Sequence, residues 1–280
     1  MVSLRSTLSI VFDVILISHC YAQTNGLPSD WIETMPPSEQ ISHGSSLACA
    51  NYSAREWKVS LTPRGVQVID SSEEKVADAL PPNFVKTRQM RGHATTMKTA
   101  DGWLVGFDAG EFGGGLWWSS ENGETTKLLS EENVHALIPR EDVVLVLTGL
   151  DHMGSNVGAI SAYRPSSRTT SRSLTSIAEL DSAPDAAAIT ENGDLIVVTQ
   201  GSVLNFGKNN HVETLFHYPA MAALYPNSLV VMKDGRLFTG MRFYALELRP
   251  DKPHSYSAKW FVPSECRKAH VKNYDCVCDA

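Results

Sequence analysis

Five short apolar runs, each announced by a turn signal, set the rhythm of this 280-residue chain. Thr62-Pro63-Arg64-Gly65 precedes Val66–Ile69, Ala100-Asp101-Gly102 precedes Trp103–Phe107, and Arg140-Glu141-Asp142 precedes Val143–Leu147. Glu191-Asn192-Gly193 then precedes Asp194–Val198, and Lys233-Asp234-Gly235 precedes Arg236–Gly240. Runs this short, bounded by Gly, Pro and Asp and rich in Val, Leu and Ile, predict strands. No amphipathic run of helical length with proper caps separates them, which argues against a parallel sheet with crossover helices.

The marker residues Gly65, Gly102, Asp142, Gly193 and Gly235 stand 37, 40, 51 and 42 residues apart. That spacing falls around the ~40–50 residues of one four-stranded propeller blade. Within the second unit four strands can be read: His93–Lys98, Trp103–Asp108, Gly115–Ser119 and Thr125–Leu129. They are separated by Asp-Gly, by a Gly-rich loop, and by Asn122-Gly123, a strong two-residue hairpin signal. The order is a meander. The third unit carries an insertion at Pro165–Arg172, whose Ser/Thr/Arg/Pro composition predicts an exposed loop. Residues 23–55, with Pro28, Pro36 and Pro37, read as an irregular leader, 56–264 as the repeat domain and 265–280 as a Cys-containing tail.

This layout resembles the β-propeller superfamily, in which an inner strand, a turn with Asp-Gly character and three further strands make one blade. The resemblance covers roughly residues 55–264 and rests on the period, because Trp-Asp repeats, kelch Gly-Gly pairs and calcium-binding Asp boxes are absent. The segment Gly106–Trp118 is similar to one in an uncharacterised exported branch of bacterial proteins, which brings no function with it. The resemblance implies an all-β, five-bladed β-propeller of four-stranded antiparallel blades. A β-sandwich pair is the rival architecture, since short strands separated by turns build that too.

Composition adds location and excludes one class of partner. With 42% hydrophobic and 20% charged residues the chain can build a core. A net charge of −7, with no Lys/Arg cluster to reverse it, argues against nucleic acid as a partner. Residues 1–22 read as a secretory signal: Arg5 is basic, Leu8–Ser18 apolar though interrupted by Asp13, and Cys20-Tyr21-Ala22 a small-x-small cleavage site. Lipid attachment at Cys20 is the weaker reading, because His19 is bulky where such signals want a small residue. The apolar run is shorter than the ~20 residues that cross a bilayer, so no transmembrane segment is expected. Cleavage leaves Cys49, Cys266, Cys276 and Cys278, an even number for which disulfides are the default in an exported chain. A bridge from Cys49 to the tail would close the chain end to end. The competing metal or redox reading of Cys276-Val277-Cys278 lacks the paired spacing of a zinc knuckle. Asn51-Tyr52-Ser53 matches a glycosylation sequon, which has meaning in a eukaryotic secretory host.

Meander geometry picks the candidate chemistry. The start of each inner strand and the exit of each second strand open on one face, which nominates His93, His135 and Asp185 as starts and Asp108, Glu111, Asp151, His152 and Arg242 as exits. His and carboxylate groups gathered there could bind a polar ligand, a divalent metal, or act as acid and base. Each also has a structural role open to it, as a hydrogen-bonding strut between units. The glycines of Gly113-Gly114-Gly115 permit a close backbone approach to a ligand or a bulge, but no helix follows to receive a phosphate. One of Trp117 and Trp118, which alternate faces, is expected in the core. No Gly-x-Ser-x-Gly or His-Glu-x-x-His motif is present, and no cofactor motif is found. The expected function is a binding or scaffolding propeller whose top-face loops hold a protein, peptide or glycan. The alternative is a hydrolase, lyase or cyclase acting on a sugar or peptide at the channel mouth, with Glu111 or Asp108 as acid/base.

Overall fold

A computed structural model describes residues 26–37, 55–71, 80–152, 155–166, 172–252 and 254–265. The signal 1–22 and the cysteines Cys49, Cys266, Cys276 and Cys278 lie outside these residues. The described chain is nearly all β, with short 3-10 turns at Gly110–Phe112 and Pro219–Leu224.

The second unit forms the meander expected: β4 (His93–Thr99), β5 (Gly102–Asp108), β6 (Gly114–Ser119) and β7 (Thr126–Ser130) pair antiparallel in that order. The third holds β8 (Val134–Arg140), β9 (Val143–His152), β10 (Ser155–Tyr163) and β11 (Leu174–Leu180). The fourth holds β12 (Pro184–Ile189), β13 (Leu195–Thr199), β14 (Ser202–Phe206) and β15 (Val212–His217). In the fifth, β16 (Ser228–Val231), β17 (Leu237–Gly240), β18 (Ala245–Lys252) and β19 (Ser255–Pro263) gain a fifth strand, β1 (Trp31–Thr34), on the outer edge of β19. The segment expected as an irregular leader thus supplies a strand. The first unit departs from four strands in the other direction, with β2 (Trp57–Thr62) and β3 (Gly65–Asp70) forming a two-stranded sheet among the described residues.

Burial explains why the second strands read as unbroken apolar runs. Successive residues of a strand face opposite sides, and the second strands of the second to fifth sheets are covered on both, whereas β3 leaves Gln67 and Ile69 exposed. In β9, Leu145 and Leu147 pack with Leu195, Val197 and Phe206 of the fourth sheet, while Val144 and Val146 pack with Leu104, Leu116 and Trp118 of the second. The same division continues from the fourth sheet to the fifth through Ile196, Val198, Leu237 and Leu246, and from the fifth to the first through Phe238, Val230, Val59 and Val66. Inner strands touch in sequence, β4 beside β8, β8 beside β12, β12 beside β16, and β16 beside β2. The arrangement is propeller-like.

Two places depart from the periodic pattern. Arg172, expected on an exposed loop, is 8% exposed. Its guanidinium lies 3.6 Å from the centre of the Trp118 ring and donates to Asp101 Oδ2 at 3.0 Å, so a charge that needs a buried partner overrides the composition of its segment; residues 167–171 lie outside the described ones. The other departure is on the opposite face of the second sheet. There Val105, Phe107 and Trp117 are covered by an irregular stretch carrying Leu80, Phe84 and Met90.

Candidate functional site

The meander brings the nominated residues to one end of the sheets. His93 opposes Asp108 in the β4–β5 register, so the start of the inner strand lies beside the exit of the second. In the third and fourth sheets the matching inner-strand positions are bulges: the register shifts between Val134 and Ala136, and between Pro184 and Ala186. His135 and Asp185 are therefore equivalent residues, each turned out of its ladder by the bulge.

Each of these starts meets the exit of the preceding sheet. His135 Nε2 lies 3.1 Å from the Gly149 carbonyl, to which it donates, and its Nδ1 is 3.6 Å from Asp108 Oδ2. Asp108 Oδ1 accepts from the Gly110 N–H at 2.9 Å, folding the chain into the 3-10 turn that carries Glu111. Asn133 donates its Nδ2–H to the Gly110 carbonyl at 2.9 Å and fixes that turn to the third sheet. The Glu111 carboxylate pairs with His152 Nε2 at 2.7 Å. Asp151 Oδ2 accepts from Ser182 Oγ at 3.2 Å. Asp185 Oδ2 is buried with no hydrogen-bond partner among the described residues. Burial first, and the Asp151 charge second, push the Asp185 carboxyl up to about 8. It is a neutral acid at pH 7.

Arg242 meets a residue that the sequence did not nominate. It donates to Glu56 Oε1 from Nε at 2.8 Å, with Nη2 also 2.8 Å away, and lies 4.0 Å from the centre of the Tyr225 ring. Glu111 pairs with His152 and not with Arg242. The reason is the rule the other junctions follow: Glu56 stands just before β2, so the exit of the fifth sheet meets the entry of the first. Tyr225 and Phe243 beside it hold positive φ angles of 53° and 69°, conformations that cost bulky residues on the order of 1–3 kcal/mol. His93 is exposed.

Between the second and third sheets this end opens into a cleft of about 730 Å³. Its walls include Gly110, Gly113 and Gly149, the acidic residues Glu111, Glu131, Glu132 and Glu179 and, among the described residues, no Lys or Arg. Glu132 accepts from the buried Thr148 hydroxyl at 3.1 Å. A second cleft, of about 340 Å³, lies across the Gly110–Phe112 turn and shares Gly113 and Glu131 with the first. Sequence reasoning missed Glu56, Glu131, Glu132, Asn133 and Glu179. Glu131, Glu132 and Asn133 could have been found from Ser130-Glu131-Glu132-Asn133, a polar turn entering the inner strand that carries His135.

One constellation of catalytic types at this end is closed. Ser202 Oγ donates to Asp181 Oδ2 at 2.6 Å and lies 3.0 Å from His217 Nδ1. Ser202 is 1% exposed, and its proton is committed to a carboxylate. It ties β14 and β15 to the link before β12 and offers no nucleophile.

Fold and site together define an all-β protein of antiparallel sheets with ionisable side chains gathered where the second strands end. No family model and no curated protein matches the chain. Among solved structures it is similar to the extracellular domain of BT4673 from B. thetaiotaomicron, at 13% identity and a TM-score of 0.39 over 73% of this chain and 24% of that one. It is also similar to streptogramin B lyase, at 14% identity and a TM-score of 0.42 over 64% and 65% of the two chains. A third is the N-terminal domain of Nup159, at 14% identity and a TM-score of 0.40 over 72% and 57%. The chain spans about a quarter of the length of the BT4673 extracellular domain and under two thirds of the other two chains. Likeness this loose decides nothing about chemistry.

Proposed function

We propose that this chain is an exported β-propeller of five units that binds a protein, peptide or glycan partner at the strand-exit end of its sheets. The observation that carries the reading is the cleft of about 730 Å³ between the second and third sheets, which Glu111 lines at the strand-exit end, where Glu111 pairs with His152 and Asp108 stands beside His135. Its glycines let a ligand approach backbone closely, and its carboxylates accept hydrogen bonds from a partner's hydroxyl or amine groups. With a net charge of −7 the partner is not nucleic acid.

A second reading is favoured by Asp151 and Asp185 alone. A neutral acid beside a second carboxyl group is the arrangement that acid/base catalysis uses, which points to a hydrolase, lyase or cyclase acting on a sugar or peptide. Purified protein screened on a glycan array and with a random-heptapeptide display library decides between binding and its absence. A ligand is expected whose affinity falls at least tenfold when Ser176→Trp fills the wide cleft, with an unchanged melting curve. Retained ligands that bind Ser176→Trp as tightly as the parent would place recognition elsewhere. Turnover of a retained glycan or peptide, abolished by Asp185→Asn, would establish the second reading.

A further inference from the structure

The smaller cleft has the opposite charge. Between Asp78 and Asp101 the chain has no acidic residue, and it carries Lys86, Arg88, Arg91 and Lys98, in a molecule whose net charge is −7. Arg88 and Arg91 line the cleft of about 340 Å³, and Arg91 Nε donates to the Arg88 carbonyl at 2.9 Å, which holds the two residues together. Both residues are exposed, and neither has a carboxylate partner among the described residues. The cleft also has an apolar wall: Phe112 is 71% exposed and Leu128 36%, with Val85 nearby in sequence at 75%. Large apolar side chains left in solvent beside unpaired guanidinium groups mark a recognition surface.

We infer that this cleft docks an acidic peptide segment of a partner protein, with a carboxylate on Arg88 and Arg91 and a neighbouring apolar side chain against Phe112 and Leu128. The inference rests on the reading of the chain as a binding protein but not on the wide cleft, with which this one shares Gly113 and Glu131, and it names the partner's chemistry. A peptide fits the walls better than an acidic glycan does. A sugar ring stacks on an exposed aromatic face, whereas Leu128 has no ring and the only other aromatic wall, Trp117, is 5% exposed. The cleft also borders β7, the outermost strand of its sheet, and an outer strand offers backbone N–H and C=O groups that an extended peptide can pair with. Glu131, on the wall shared with the wide cleft, repels a continuing run of acidic residues and so limits how far the segment extends.

The same heptapeptide library tests this. Enrichment is expected for Asp or Glu next to Leu, Ile or Phe. The enriched peptide, fluorescently labelled, should lose at least tenfold in affinity with Arg88→Glu/Arg91→Glu and about fivefold with Phe112→Ser. It should keep its affinity with Lys208→Glu on the fourth sheet, all three variants melting as the parent does. Binding should weaken as salt is raised, since exposed charges carry it. Enrichment of basic or uncharged peptides, no enrichment, an unaltered affinity in the double variant, or displacement by an oligogalacturonate at equal affinity each overturns the inference. Loss in Ser176→Trp without loss in Arg88→Glu/Arg91→Glu overturns it while leaving the wide-cleft reading intact; loss in neither overturns both.

Discussion

Two buried aspartates, Asp101 at the turn end of the second sheet and Asp185 at the exit end of the fourth, are treated in opposite ways. At the turn end, Asp101 accepts hydrogen bonds from the Tyr163 hydroxyl at 2.8 Å, the Thr99 hydroxyl at 2.8 Å, the Ser166 N–H at 3.1 Å and Arg172 Nε at 3.0 Å. Burial alone would raise its pKa, yet these donors together hold it below the usual carboxylate range. At the exit end, Asp185 has a buried oxygen without a donor, a second carboxylate near it, and a pKa pushed up to about 8. Asp101 has its charge satisfied and sealed, while Asp185 keeps an oxygen that no donor meets among the described residues. The contrast is between these two residues, since Trp103 Nε1 and Arg140 Nη1 near the turns are also buried without a hydrogen-bond partner among the described residues; it separates an aspartate whose donors fasten neighbouring segments from one whose charge only a proton removes.

Breaking the turn end should cost most. Asp101→Asn leaves the Arg172 guanidinium, 7% exposed, without a counter-charge, and loss of one partner from a buried pair costs about 3–5 kcal/mol. Urea denaturation should show that loss, and Asp101→Asn/Arg172→Met should recover much of it, because no buried charge then remains.

The exit end should respond to pH in the opposite sense. Between the unfolded carboxyl value near 3.9 and about 8, the folded chain holds a proton on Asp185 that the unfolded chain has released. Stability contributed at this site is therefore full below the lower value and falls as pH rises through the window. Asp185→Asn should remove the decline, gaining up to about 5 kcal/mol over the parent at pH 9 relative to pH 4. Equal pH dependence of the two proteins in denaturation would show that Asp185 is ionised in the fold.

A smaller effect measures how tightly the second and third sheets meet. A Cβ on Gly106 would come within 2.4 Å of Val134 Cγ1, so Gly106→Ala should destabilise by about 1–3 kcal/mol through overpacking, read as a lowered melting temperature. The smallest effect belongs to the exit-end pair of Glu111 and His152, whose side chains are 42% and 43% exposed. His152→Ala should change stability by less than about 1 kcal/mol, with the difference shrinking in high salt. A large loss there would make the pair a structural fastener and weaken the contrast between the two ends.

Much of the architecture is legible in the sequence. The four strands of the second unit fall within a residue or two of their expected places because hairpin signals and apolar alternation are local properties. Locality also explains what was not legible. Trp31–Thr34 pairs with Pro263 at the far end of the chain, and nothing in four residues among prolines advertises such a distant edge. Arg172 read as exposed because composition does not reveal the aspartate 71 residues away that buries it.

The candidate site divides the same way. By itself the sequence determined that His93, Asp108, His135 and Asp185 stand at strand starts and exits, since a meander returns each second strand to the end where its inner strand began. Which exit meets which start was decided by tertiary structure alone, because Asp108 with His135 and Arg242 with Glu56 are contacts between sheets. The clefts, the unmet oxygen of Asp185 and the isolation of the Arg88 and Arg91 charges belong to that second category. They depend on burial and distance, which the order of residues constrains only once the sheets have packed.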